Sequence, residues 1–119
     1  MKKTLQAFRF AFEGLNELIS KERNFKIHLV AALLAVLGGV YFEFTSLRWM
    51  ILIICIGSVM AAEAFNTAIE VLCNHVNPDL HPEIKRVKDI SAAAVLLVSI
   101  SAFITGLILF IPQIAEVIL

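Results

Sequence analysis

The sequence predicts an all-α integral membrane protein, with an N-terminal amphipathic interfacial helix followed by three transmembrane helices. Three observations carry that expectation. Apolar residues make up 60% of the 119-residue chain and charged residues 17%, against about 25% charged in soluble domains. The apolar residues are concentrated in three long stretches separated by polar sequence. A chain this short cannot bury so much apolar surface in a water-soluble core. Its length fits a single domain over residues 1–119. The formal net charge is zero, so no nucleic acid or other polyanion is indicated as a partner.

Residues 4–20 form the amphipathic segment. Leu5, Phe8, Phe12, Leu15 and Ile19 recur at spacings of three and four, the period of one helix face. Arg9, Glu13, Asn16 and Glu17 fall largely off that stripe. Such a helix suits the membrane interface. No apolar stretch follows Met1, Lys2 and Lys3 directly, so a cleaved leader is not expected. After a dense polar run from Ser20 to Lys26, the first span covers about 27–44, with His28 its strongly polar side chain near the start. Gly38 and Gly39 suit close helix contact.

A short turn from Glu43 to Arg48, flanked by Tyr41 and Trp49, leads to the second span at about 47–73. Residues 74–89 make a polar loop with turn signals at Asn77-Pro78 and His81-Pro82. The third span covers about 90–111. It opens on the small residues Ser91, Ala92, Ala93 and Ala94, and Pro112 marks its far end. Cys55 and Cys73 lie 18 residues apart on one predicted helix, too far for a bridge, and read as free thiols. Cys73 and His75 lack the second pair that a zinc site needs.

Basic residues set the expected topology. Lys2, Lys3, Arg9, Lys21, Arg23 and Lys26 precede the first span, and Lys85, Arg86 and Lys88 lie between the second and third. Arg48 alone lies between the first and second. The N-terminus and the 74–89 loop are therefore expected in the cytoplasm, with the 45–48 turn and the C-terminus outside.

The second span carries the chemistry. Glu63, Asn66 and Glu70 stand at i, i+3 and i+7, on one helix face. An ionised carboxylate at mid-bilayer costs about 2.5 kcal/mol or more, so this face must meet protein or water. Glu70 is expected near the cytoplasmic surface and Glu63 roughly 10 Å deeper. Glu22, Asp79, His81, Lys88 and Asp89 project from the same membrane face. Together these supply carboxylates for a divalent cation such as Mg²⁺ and cations for phosphate. No G-x-x-x-x-G-K-[ST] segment or kinase-type glycine-rich loop is present. The residues alone fit two classes. One is an interfacial enzyme acting on a lipid hydroxyl, with Glu63 as base. The other is a proton- or cation-handling membrane subunit using Glu63 and Glu70.

The run Glu63-Ala-Phe-Asn66-Thr-Ala-Ile-Glu70 resembles the E-x-x-N-[ST]-A-I-E signature of the prokaryotic diacylglycerol kinase family, which includes undecaprenol kinases. The blocks from Glu22 to His28 and from Lys88 to Val95 extend the resemblance in order and spacing over almost the whole chain. The resemblance implies a homotrimer in the bacterial cytoplasmic membrane, with active sites between neighbouring subunits. It implies ATP with Mg²⁺ as phosphoryl donor and a lipid alcohol as acceptor. Glu63 then corresponds to the general base, Asn66 to its polar orienter, and Glu22 and Glu70 to the metal carboxylates. Lys88 and Asp89 correspond to the nucleotide-binding pair, and Asp79 and His81 to a loop that contacts nucleotide. Two features depart from the diacylglycerol branch: His28 stands where that branch has an acidic residue, and Phe10 and Ala11 replace hydroxyl-bearing residues. Both tilt the implied acceptor toward undecaprenol.

Overall fold

The computed structural model describes every residue except 78 and 80. The described residues form four helices joined by short connections. They are α1 (Lys2–Lys21), α2 (Arg23–Tyr41), α3 (Ser46–Val76) and α4 (Pro82–Ile118). The single-residue elbow between α1 and α2 is Glu22, whose extended backbone (φ −96°, ψ 112°) breaks the helix. Its N–H still donates to the Leu18 carbonyl at 3.0 Å, which closes the end of α1. Phe25 follows the elbow and is buried. The apolar stripe of α1, from Leu5 to Ile19, stays exposed on the single chain.

Three of the helices, α2, α3 and α4, are long and apolar enough to cross a membrane. Most of their large apolar side chains point outward. Lipid is the solvent such surfaces match, and the fold is that of a multi-pass membrane protein. The second and third membrane helices outlast their apolar stretches. The expected span of 27–44 overruns α2, which begins earlier at Arg23 and ends at Tyr41, because the turn into α3 starts at Phe42, whereas the spans of 47–73 and 90–111 lie inside helices of 31 and 37 residues. Hydropathy marks the part of a helix that needs lipid, whereas the backbone ladder continues into polar sequence. Pro112 does not end α4, which runs on to Ile118. A proline removes one ladder donor, and the turns on both sides keep theirs.

At the end away from α1, the helices meet through rings. Phe44, Leu52 and Leu109 are buried together, with Trp49 and Phe110 against them. The two glycines of α2 make this possible. A Cβ on Gly39 would lie 2.7 Å from the Trp49 ring, and one on Gly38 would lie 2.7 Å from the Phe110 ring. The turn between α2 and α3 places Glu43 at φ 52°, and Thr45 caps α3 by accepting from the Arg48 N–H at 3.3 Å. The Arg48 guanidinium donates to the Leu109 carbonyl at 2.8 Å and lies over the Phe44 ring at 5.7 Å from its centroid.

The turn expected at Asn77-Pro78 includes Pro78, which lies outside the described residues. Asn77 caps the end of α3 with its N–H on the Cys73 carbonyl at 2.9 Å. Cys55 and Cys73 are both free, on α3.

Candidate active site

Small residues on α3, from Ala61 to Ala68, let neighbouring helices approach its polar face. Glu63 sits deepest and is buried, at 4% exposure. It is met by His28 from α2, whose Nε2 lies 3.0 Å from Glu63 Oε1. A carboxylate this buried needs such a partner. One turn along, Asn66 bridges two helices. Its carbonyl oxygen accepts from the buried Ser91 hydroxyl of α4 at 2.7 Å, and its amide nitrogen donates to Glu70 Oε1 at 3.3 Å. Glu70 is half-buried. The stripe is thus held from both sides, by α2 at Glu63 and by α4 at Asn66.

Glu22 lies at the rim of a cavity of about 510 Å³ between α1 and α3. Glu17 and Thr67 line the same cavity, with apolar side chains such as Leu15, Leu18 and Val71. The elbow therefore places Glu22 beside a cavity that Ala64, Thr67, Ala68 and Val71 of α3 also line. No cluster of three or more His, Cys, Asp or Glu side chains occurs among the described residues.

The other expected residues sit on the same end of the bundle but have separate local partners. Lys88 donates to the Asn74 side chain of α3 at 2.5 Å. Asp89 accepts from Lys85 at 2.7 Å, one turn back on the exposed face of α4. His81 is the N-cap of α4, with its Nδ1 accepting from the Glu83 N–H at 3.2 Å. Its own N–H donates to the Asp79 carbonyl at 2.8 Å, and Asp79 N–H donates to the Asn77 side chain at 3.0 Å. Asp79 and His81 shape the entry to α4.

Three contributors were not expected at this site. Ser91 reads from sequence as a small packing residue, yet its hydroxyl anchors Asn66. Asn74 reads as loop, yet it holds Lys88. His28 reads as an interfacial polar residue, although a signal for its pairing exists. One strongly polar side chain early in the first span and one deep carboxylate in the second need each other inside a bilayer.

The family model for prokaryotic diacylglycerol kinase matches residues 9–110. The undecaprenol kinase of Bacillus subtilis (strain 168) is 33% identical over 113 residues, covering 95% of this chain and 92% of the relative. The diacylglycerol kinase of Escherichia coli (strain K12) is 32% identical over 105 residues, covering 88% of this chain and 86% of the relative. The matched stretch spans the Glu22 elbow, the polar face of α3 and the start of α4. This chain belongs to the prokaryotic diacylglycerol kinase family and is a lipid kinase.

Proposed function

We propose that this lipid kinase transfers the γ-phosphoryl group of ATP to the hydroxyl of a membrane lipid alcohol, undecaprenol in preference to diacylglycerol. The observation that carries the reading is the contrast between two carboxylates on one helix face. Glu63 is buried beside an imidazole, whereas Glu70 is partly open and tied to Asn66. Different surroundings give paired carboxylates different roles. The deeper one forms the base end, where the lipid hydroxyl loses its proton. The shallower one faces the nucleotide.

The donor set fits Mg²⁺, which needs one or two carboxylates when phosphate oxygens complete its shell. Glu22 and Glu70 would hold it, and when bound it neutralises phosphate charge. The chain's own residues do the remainder. Lys88 supplies a cation for phosphate, steadied by Asn74. Asp89 recognises the nucleoside end once released from Lys85, and Asp79 and His81 flank the nucleotide. Asn66 fixes Glu70 relative to the base end.

The chain works as a homotrimer in the bacterial cytoplasmic membrane, with α1 in the interface. The N-terminus and the 74–89 loop face the cytoplasm, where ATP is. The nine-to-one distribution of Lys and Arg supports that orientation. His28 supports the undecaprenol preference, because the diacylglycerol branch carries an acidic residue there.

Reconstituted protein given labelled ATP should label both lipids, undecaprenol faster. Label on neither, together with ion flux in liposomes, would replace this reading with the cation-handling one. Glu70→Gln should raise the Mg²⁺ concentration needed for half-maximal turnover, and an unchanged requirement would remove Glu70 from the metal.

A further inference from the structure

We propose that the apolar slot running from Glu63 toward the packed rings holds the hydrocarbon chain of the acceptor, and that Gly106 sets how deeply the chain enters. This rests on the lipid-kinase reading above, with Glu63 as base, and names the class of acceptor: an alcohol whose hydroxyl ends a single hydrocarbon chain. The slot encloses about 170 Å³ between α2, α3 and α4. Its floor is the face of α3 that carries Glu63. Met60 and Val59 stand one turn from the carboxylate, Ile56 and Cys55 two turns, and Leu52 three. His28 lines the head of the slot and lies 3.0 Å from Glu63. At the far end the slot meets Leu52 and Phe110 of the ring cluster.

The walls leave room instead of closing it. Ala31, Ala32 and Ala35 come from α2, and Ala102 and Gly106 from α4. At Gly38 a Cβ would lie 2.7 Å from the Phe110 ring, whereas a Cβ on Gly106 would meet nothing from another helix within 4 Å. An apolar space of about 150 Å³ stays dry and takes up hydrocarbon. From His28 to Ala35 the slot runs about 10 Å by helical rise, so its volume makes it far narrower than a helix about 10 Å across. One hydrocarbon chain fits where a helix of a second copy does not. With the hydroxyl at Glu63, such a chain lies parallel to the helices, as a lipid lies in a leaflet. A polyprenol leads one chain from its hydroxyl end. Diacylglycerol leads two, of which the slot admits one.

Gly106→Leu starts its new side chain in open space and fills the slot. Measured on the full chain in micelles with undecaprenol, it should raise the acceptor KM about tenfold, the cost of leaving about two methylene groups unburied. KM for Mg-ATP and the denaturation midpoint should stay unchanged, and the loss with diacylglycerol should be smaller. Ala35→Leu fills the slot from α2 and should act alike, which keeps the test if Gly106→Leu does not fold. Gly57→Leu is the control. A Cβ there also meets nothing within 4 Å, yet Gly57 does not line the slot, so its acceptor KM should match wild type. An unchanged acceptor KM in the slot variants, or an equal rise in Gly57→Leu, overturns the assignment. Equal losses on the two lipids overturn the single-chain class. Dissociation of the oligomer by Gly106→Leu puts a second copy of this chain in the slot instead, and also overturns it. Failure of the wild-type chain to phosphorylate either lipid overturns the kinase reading itself, a separate outcome read from the wild-type assay.

Discussion

At the end of the bundle that carries Trp49, the helices meet ring against backbone. At the α1 end they meet hydrogen bond to hydrogen bond. Gly38 and Gly39 let Phe110 and Trp49 lie flush on α2, and the buried cluster of Phe44, Leu52 and Leu109 is apolar throughout. At the other end Glu63, His28, Asn66 and Ser91 cross the same helices through polar contacts at 3.0 and 2.7 Å. A bilayer gives apolar side chains no reason to leave lipid for protein, so shape must hold the first end together. The same bilayer makes an unpaired polar group costly, so pairing holds the second. The packed end works as a clamp, and the polar end keeps the groups that the proposed chemistry needs.

The largest effect should come from the base of the polar end. Glu63→Gln should reduce kcat by roughly 100-fold or more, with Mg-ATP binding retained; lost binding with residual turnover would move Glu63 to the nucleotide. Next comes the clamp. Gly39→Leu would drive a side chain into the Trp49 ring, and overpacking of this kind costs about 1–3 kcal/mol. A lowered denaturation midpoint in micelles with unchanged KM is expected, and a changed acceptor KM would mean that the two ends are coupled. Ser91→Ala removes the donor to Asn66 and leaves a half-buried side-chain carbonyl unpaired, which costs about 1 kcal/mol. Turnover should fall several-fold, about what that energy implies, and a neutral result would mean that Asn66 is held by Glu70 alone. The smallest effect belongs to Lys85→Gln, which breaks an exposed pair with Asp89. A stability change under about 1 kcal/mol is expected, and a larger one would extend the hydrogen-bonded end onto the outer face of α4.

Much of the polar end was legible in the sequence. The i, i+3, i+7 spacing put Glu63, Asn66 and Glu70 on one face, and the structure keeps them there, with Asn66 bonded to Glu70. Periodicity within a helix carries that information. Partners on other helices were harder to read, because nothing local says that Ser91 meets Asn66 across 25 residues or that Asn74 meets Lys88 across 14. The ends of α4 were missed for a different reason. Its first turns are polar and its last turn follows a proline, so hydropathy saw a shorter helix. The glycine pair was read correctly as a contact point, but which rings would fill it depends on the turn at Glu43, whose φ of 52° no composition rule predicts for glutamate.

The contact between His28 and Glu63 also bears on how the chain is made. Synthesis delivers α2 before α3. The first span therefore enters the bilayer carrying only an imidazole. The carboxylate follows on the next helix and finds its partner already at depth, rather than waiting for α4 to arrive. Reversing the order of the two groups would send the charge in first, with nothing there to receive it.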